Sequence, residues 1–512
     1  MTSFAESATS FISTRPDSEL RGRAWSNFES VGLPTTSDEV WRYAPLSELD
    51  LEHFAVPATP TLVPPSEFAT ALGALAASVV RVVDGFLVDI GEPIDGVTVD
   101  LNPTMTTIGG DDPVERYASD AFALANAALC PATVVVTVAA GTVVDDPIVI
   151  IHSANASASF PRTHLVLERG ANATVVEYYE GGADALVVPV SEYRVEDNAS
   201  LRLVTYQRLD ATAWHVARTT GLLERDGRLS QAVLGMGAHY DRSRNDADLR
   251  ATGAQNELRT TFFGSGSQVH DFRTHQFHRA PRSRSTLLSK GAVADTSRSV
   301  YTGLIEIEKG AKRTDARQTN HNLLLSPNAH ADSVPNLDIR ENDVVCAHAS
   351  SVGPLNALQR WYLESRGVTR SDAERLMIQG FFLEMLDALP PALARLVEGD
   401  VALALQSVPV IALAPRMSAR PTTSRAARPA RFASVRARWS SFASRTIFTC
   451  STTGAATRTT ASPRARSTAR TGRSSAPDTV RCSTSPMGHP NRSPRPGRSL
   501  ATTWWCATDG WR

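Results

Sequence analysis

Cys346-Ala347-His348 places a thiol and an imidazole two residues apart. On a strand, residues at that spacing project to one face, so the two side chains would stand side by side. Both bind soft and borderline metals. Two ligands do not close a four-coordinate site, so a metal held here would draw further ligands from elsewhere, including from a second chain. The competing reading is a buried cysteine beside a hydrogen-bonded histidine. His270, His275 and His278, in VHDFRTHQFH, offer a second set of imidazoles. On one strand 275 and 278 cannot face the same way without a bend. No carboxylate or thiol completes a metal spacing there, so hydrogen-bonded structural histidines are the better reading. His321 and His330 flank the Cys-Ala-His segment, either orienting a neighbour's ligand or sitting in turns. Asp241, Asp246 and Asp248 are the one carboxylate cluster that glycan cleavage could use. They read better as a solvated turn.

Several chemistries lack their signatures. There is no G-x-x-x-x-G-K-[ST] loop for nucleotide phosphates, no G-x-S-x-G nucleophile elbow and no Cys-x-x-Cys pair for a preformed four-cysteine cluster. No catalytic residue is assigned.

The elements around these residues change texture along the chain. Residues 17–31 pattern as a helix ended by Gly32-Leu33-Pro34, and Trp41-Arg42-Tyr43 reads as two aromatics packed around a charge. A Pro-rich linker (56–66) precedes mixed short strands, such as 86–90, and a helix-like 117–129. From about Thr133, short β-rich runs alternate with small turn residues. Gly170, Asn198, Gly227 and Gly253 each open a turn, at spacings of 28, 29 and 26 residues. A quasi-period of that size without intervening helices suggests stacked β rungs, and a sandwich is the alternative. After Gly353-Pro354 the period becomes helical. Leu358, Trp361, Tyr362 and Ser365 mark one face and Gly367 a C-terminal cap. Ser371 with Glu374 reads as a capping box. The helix it opens is expected to bury Leu376, Phe381, Met385 and Leu389 before Pro390-Pro391. A third apolar run, 393–405, packs on this hairpin. The expected organisation is an N-terminal α/β region (1–130), a mainly β core (131–353), a helical unit (354–405) and a tail (415–512).

The tail is unlike the rest. From Pro415 to Arg512 there are 18 arginines, no lysine, two aspartates and no glutamate, a net +16, which leaves −17 on the preceding residues. It is rich in Arg, Ser, Thr, Ala and Pro and has no sustained period. A basic arm for nucleic acid is one reading. A disordered segment, or translation in a shifted frame of a GC-rich gene, is the reading preferred. Before the tail only Cys130 and Cys346 occur, which provides no disulfide framework and suits a reducing compartment. The N-terminus lacks the pattern of a signal peptide and no apolar run is long enough to span a bilayer. A cytoplasmic location is expected.

The stretch from Gly303 to Gly367 resembles the SufB/SufD family of iron–sulfur cluster assembly proteins, and its SufD branch in particular. The phrases that carry this are QTNHNLLLSPNAHADSVPNLDI (318–339), DVVCAHASSVGPLNALQRWYLESRGV (343–368) and AERLMIQGFFLEML (373–386), with weaker likeness in TSDEVWRYAPLSELDL (36–51) and DAFALANAALC (120–130). The resemblance spans roughly residues 30–400. It implies a right-handed parallel β-helix core and a non-catalytic scaffold role. It implies two partners, a SufB-like paralogue and a SufC-like ATPase. It also implies a nascent Fe–S cluster shared at the paralogue interface, and reduced flavin in the complex. On this resemblance His348 is the first candidate metal ligand and Cys346 the second. Trp361, Phe381 and Phe382, taken as aromatics in excess of one small core, are the expected ATPase-docking residues.

Overall fold

Alternation of apolar and polar residues along short strands, broken every 27–31 residues by a tight corner, builds two long parallel sheets in the computed structural model, which describes residues 3–406 and the pair Cys506–Ala507. The tail read above lies outside the described residues, apart from that pair. The chain passes alternately between the sheets. One holds Ile148–Ala154, Asn172–Gly181, Ser200–Leu209, Arg228–Gly235, Gln255–Gly264, Arg284–Val293, Asp315–Leu324 and Val345–Gly353 in spatial order. The other runs from Thr133–Val138 through Arg162–Leu167, Val190–Val195, Trp214–Leu223, Tyr240–Leu249, Val269–His278 and Arg298–Ile307 to His330–Ile339. Each of these strands pairs in parallel with the one a full turn later, so the core is a parallel β-solenoid.

The turn period has a structural source. Gly170, Asn198, Asp226, Gly253, Arg282 and Arg313 all have left-handed backbone, with φ between 53° and 80°. Each donates its N–H to a carbonyl on the following rung: Asp197, Arg225, Thr252, Pro281, Lys312 and Asp343 respectively. This is a stacked corner in which every rung satisfies the one before it. Asp226, not Gly227, occupies the corner, and Arg282 and Arg313 extend the row past the four turns legible by residue type. The sheets also begin earlier than the core boundary suggested by composition. Ser78–Val83 pairs in parallel with Ile148–Ala154, and Val97–Asn102 pairs antiparallel with Thr133–Val138.

The interior is apolar in the early rungs, with Val134, Val136, Leu165, Val175, Leu201 and Leu203 buried together. Towards the last rungs it becomes polar, with Gln318, Asn320 and Asn322 all buried. The outer faces are covered too. The N-terminal helices Phe4–Ser13, Ser18–Val31 and Ala121–Leu129 bury Phe11, Trp25, Phe28 and Phe122 with Val190, Trp214 and Tyr240 of the second sheet. Trp41 packs on Phe122 with ring centres 5.4 Å apart and the planes tilted by 35°, and the Arg242 guanidinium lies 3.6 Å from the Trp41 ring centre. Tyr43 has the Arg298 guanidinium 4.7 Å from its ring centre and Arg42 is exposed, so the two aromatics pack on arginines of the second sheet rather than around Arg42 as the sequence suggested.

The C-terminal helices Ala357–Ser365, Arg370–Leu386 and Pro391–Gln406 follow the last strand. The helix Arg370–Leu386 is capped by Thr369, whose hydroxyl accepts from the Asp372 N–H, so Ser371 lies inside it. Glu374 instead pairs with Arg360 at 2.9 Å and Arg370 at 3.1 Å, tying the two helices together. Its buried face is Ile378, Phe382, Met385 and Leu386, and Leu376 is exposed, contrary to expectation. No helix among the described residues is long and apolar enough to cross a membrane.

Candidate functional site

Val345–Gly353 carries the candidate pair. It lies parallel to Asp315–Leu324, in a register that sets Cys346 beside Ala316, His348 beside Gln318 and Ser350 beside Asn320. Among the described residues its other edge meets only Cys506–Ala507, alongside His348 and Ala349. Cys346, His348 and Ser350 face the solenoid interior, as the two-residue spacing requires. Ser350 Oγ donates to Ser333 Oγ of the facing strand at 2.8 Å.

The two ligand candidates sit in different chemistry. Cys346 is 4% exposed, among Ile305, Ile307, Ala311 and Ala316. Burial, assisted by the nearby Asp315 charge, pushes its thiol up to about 12. It is therefore a protonated, apolar-packed thiol at neutral pH, and metal ligation requires the thiolate. His348 is only half-buried, and its Nδ1 is enclosed without a hydrogen-bond partner. The imidazole fits a nitrogen ligand as it stands, whereas the thiol does not without first losing its proton. Among the described residues no three His, Cys, Asp or Glu side chains converge as a metal site.

The other histidine set disperses. His270 and His278 both point inward, at opposite ends of Val269–His278. His278 contacts the hydroxyls of Ser283 and Ser285, each at 2.8 Å, and burial depresses its basicity to about 4. His275 faces out to Glu306 at 3.2 Å. His321 Nδ1 lies 2.6 Å from Ser351 Oγ, and His330 Nε2 lies 3.3 Å from Asp332 Oδ1. The aspartate cluster lies on the strand Tyr240–Leu249 rather than in a turn. Asp241 points inward. Asp246 pairs with Arg218 and Arg244, and Asp248 with Arg250 and Arg279.

Asp241 belongs to a row the residue spacing could have revealed. His215, Asp241 and His270 are register partners on three successive rungs, separated by one rung period each. The Asp241 carboxylate lies 2.8 Å from His215 Nδ1 and 3.2 Å from His270 Nδ1. Burial acts to raise this carboxyl, but the two imidazole contacts outweigh it and hold it down at about 2. A depressed carboxyl contributes stability above its unfolded pKa, near 4, and loses it as pH falls towards the folded value. The stability advantage of wild type over Asp241→Asn should therefore shrink by about 2 kcal/mol as pH falls from 6 to 2, most of it between pH 4 and pH 2. Paired denaturation curves across that range measure it. A constant difference would show that the carboxyl titrates alike in both states.

The expected docking residues divide by exposure. Trp361 is 63% exposed, beside the exposed Leu358 and Tyr362 on Ala357–Ser365. Phe381 is partly buried, with the Lys290 ammonium 4.8 Å from its ring centre. Phe382 is buried at 3% exposure against the first sheet. The premise that all three are surplus surface aromatics is therefore corrected for Phe382, whose helical position points it at the sheet.

Comparison with known proteins agrees with this geometry. Residues 149–381, most of the solenoid and the start of the helical unit, match the family described as SUF system FeS cluster assembly, SufBD core domain. The chain is similar to the iron–sulfur cluster assembly protein SufD of Bacillus subtilis, 33% identical over 249 residues, or 47% of this chain and 56% of that protein. It is similar to Escherichia coli SufD, 27% identical over 70% of this chain and 86% of the relative. A SufBD family protein of Mycobacterium tuberculosis is 28% identical over 72% of this chain and 88% of its own length. The match thus spans little more than half the length of the Bacillus relative and most of the other two. With its parallel solenoid and helical end, the chain belongs to the SufBD family of iron–sulfur cluster assembly proteins.

Proposed function

We propose that this chain is a non-catalytic scaffold subunit on which nascent iron–sulfur clusters are built together with a SufB-like paralogue and a SufC-like ATPase. Family membership and the relatives' names support the assembly role. The observation that carries the site is His348, half-buried on the last long strand of the first sheet, with an enclosed and unpartnered Nδ1. It supplies one nitrogen to the cluster, which is cargo, and the paralogue supplies the ligands this chain lacks. Cys346 is the second ligand, once its thiol is exposed to water or a cation that favours the thiolate. The exposed face Leu358, Trp361 and Tyr362 receives the ATPase, whose cycle shifts the two solenoids and opens the shared site. Reduced flavin would be a component of the complex, and no described residue is assigned to it.

His348→Ala should leave the fold and the complex intact. It should lower the iron and sulfide recovered per complex after anaerobic reconstitution with the paralogue by several-fold. Cys346→Ala should have a similar or smaller effect. The isolated chain should hold little metal in either form, because two ligands on one strand make an incomplete site. Full cluster occupancy in the His348→Ala complex would remove this residue from the mechanism.

A further inference from the structure

We infer that Gln318 is the positioning residue for His348, holding Nδ1 as the protonated nitrogen so that Nε2 carries the lone pair offered to the cluster. This rests on the reading of His348 as a ligand and adds to it the group that sets its tautomer.

Gln318 and His348 are register partners on adjacent parallel strands, which lie about 4.8 Å apart, and both face the interior. Gln318 is 1% exposed, yet neither its amide nitrogen nor its amide oxygen has a hydrogen-bond partner. The same is true of the buried Nδ1 of His348. Three unpartnered polar atoms on neighbouring side chains in one enclosed row are costly unless they serve one another, directly or through one buried water.

The other polar side chains near Nδ1 are less directly placed. Ser350, two residues on, donates to Ser333. Asn320, the inward neighbour of Gln318 on its own strand, donates to Ser333 at 2.9 Å; its Oδ1 is unpartnered, but it is the register partner of Ser350 and not of His348. On the other side the row is Ala316 and the apolar-packed Cys346. Gln318 is thus the amide in register with His348.

The fold makes room for that amide. A Cβ added at Gly303 would lie 2.4 Å from Gln318 Nε2 and 2.5 Å from the Tyr301 hydroxyl. The missing side chain at Gly303 is the space into which the Gln318 side chain extends. With Nε2 turned towards Gly303 and Tyr301, the amide oxygen is the atom available to accept from His348 Nδ1–H. A metal-binding histidine whose other ring nitrogen donates to such an acceptor has its tautomer and ring orientation fixed, and loss of the acceptor weakens metal binding about 10- to 100-fold.

The test uses the full chain labelled with ¹⁵N-histidine, at a pH where imidazoles are neutral, with the His348 signals identified by their loss in His348→Ala. Long-range ¹H–¹⁵N spectra distinguish the tautomers. Wild type should show the Nδ1–H form. Gln318→Met, of similar length but without the amide, should move His348 towards the Nε2–H form that unconstrained imidazole prefers. Gln318→Glu keeps an acceptor and should retain the proton on Nδ1. An Nε2–H form in wild type overturns the inference even if no variant folds, and so does an unchanged tautomer in folded Gln318→Met. Iron recovery in the reconstituted complex separates this from the ligand reading. If the tautomer shifts and iron recovery does not fall, His348 is not the ligand, while Gln318 still positions it. If His348→Ala loses iron and Gln318→Met leaves the tautomer alone, the ligand reading stands and the positioning role falls.

Discussion

Phe382→Ala should lower the free energy of unfolding by about 3–5 kcal/mol, and Trp361→Ala should change it by no more than about 0.5 kcal/mol. The two aromatics lie on neighbouring helices of one hairpin, and sequence alone gives no reason to separate them. The structure does. Phe382 fills the seam between Arg370–Leu386 and the outer face of the first sheet, with Ile378, Leu386, Leu389, Phe263 and Ala292 in the same buried cluster. Removing its ring leaves a void between a helix and a sheet, neither of which can close without moving the other. Phe382→Asp would add an unpaired buried charge and should prevent this unit from docking on the solenoid. A weakened ATPase interaction in that variant would therefore report unfolding rather than a lost contact. Trp361 stands in solvent beside Leu358 and Tyr362, an apolar face of the kind interfaces use. Trp361→Ala should weaken capture of a SufC-like ATPase at least tenfold while leaving the denaturation midpoint in place. A destabilised Trp361→Ala, or a silent Phe382→Ala, would mean that the faces of the hairpin are assigned the wrong way round. Unchanged ATPase capture by Trp361→Ala would move the docking surface elsewhere.

How far the solenoid could be read from residues depended on which positions demanded unusual backbone. Gly170, Asn198 and Gly253 announce the corner because their types tolerate left-handed φ. Arg282 and Arg313 occupy the same corner and announce nothing, because the stacked hydrogen bonds of neighbouring rungs hold them there. The cap falls at Thr369, two residues before Ser371, although Ser371 and Glu374 satisfy the same pattern, because the Asp372 N–H finds the Thr369 hydroxyl and Glu374 is taken by Arg360 and Arg370. The Cys346 and His348 pair was legible as a shared strand face. Its asymmetry was not, because the environment of each comes from residues thirty or more positions away: Ile305 and Asp315 around the thiol, Gln318 beside the ring. The His215, Asp241 and His270 row became readable only once the rung period was applied to polar residues as well as to turns.

Glu192→Ala should cost about 3–5 kcal/mol, because it leaves a buried arginine without its counter-charge. Glu192 is fully buried on the outer face of the second sheet, where the N-terminal region docks. Its carboxylate lies 3.2 Å from Arg162, 2.9 Å from His164 and 3.4 Å from Arg116, and accepts hydrogen bonds from the Tyr117 hydroxyl at 2.9 Å and the Ile108 N–H at 3.0 Å. Arg116, Tyr117 and Ile108 belong to the segment before the helix Ala121–Leu129, so one carboxylate holds that segment to the solenoid. Burial works to raise this carboxyl, and the hydrogen bond from His164 with the charges of Arg162 and Arg116 holds it well below the usual range. Its contribution is therefore complete above the ordinary glutamate pKa of about 4.3 and fades only in strong acid. Amide exchange should show residues 105–129 losing protection first in Glu192→Ala, with the rungs beyond Tyr240 little changed. Uniform loss of protection would mean that the N-terminal region and the solenoid unfold as one unit. A second variant tests the cause of the cost. If it comes from the stranded Arg162 charge, replacing both partners by Met and Leu should recover much of it, since an apolar pair of similar volume needs no counter-charge. If the double replacement is as unstable as Glu192→Ala, the carboxylate acts instead through the hydrogen bonds that hold Ile108 and Tyr117.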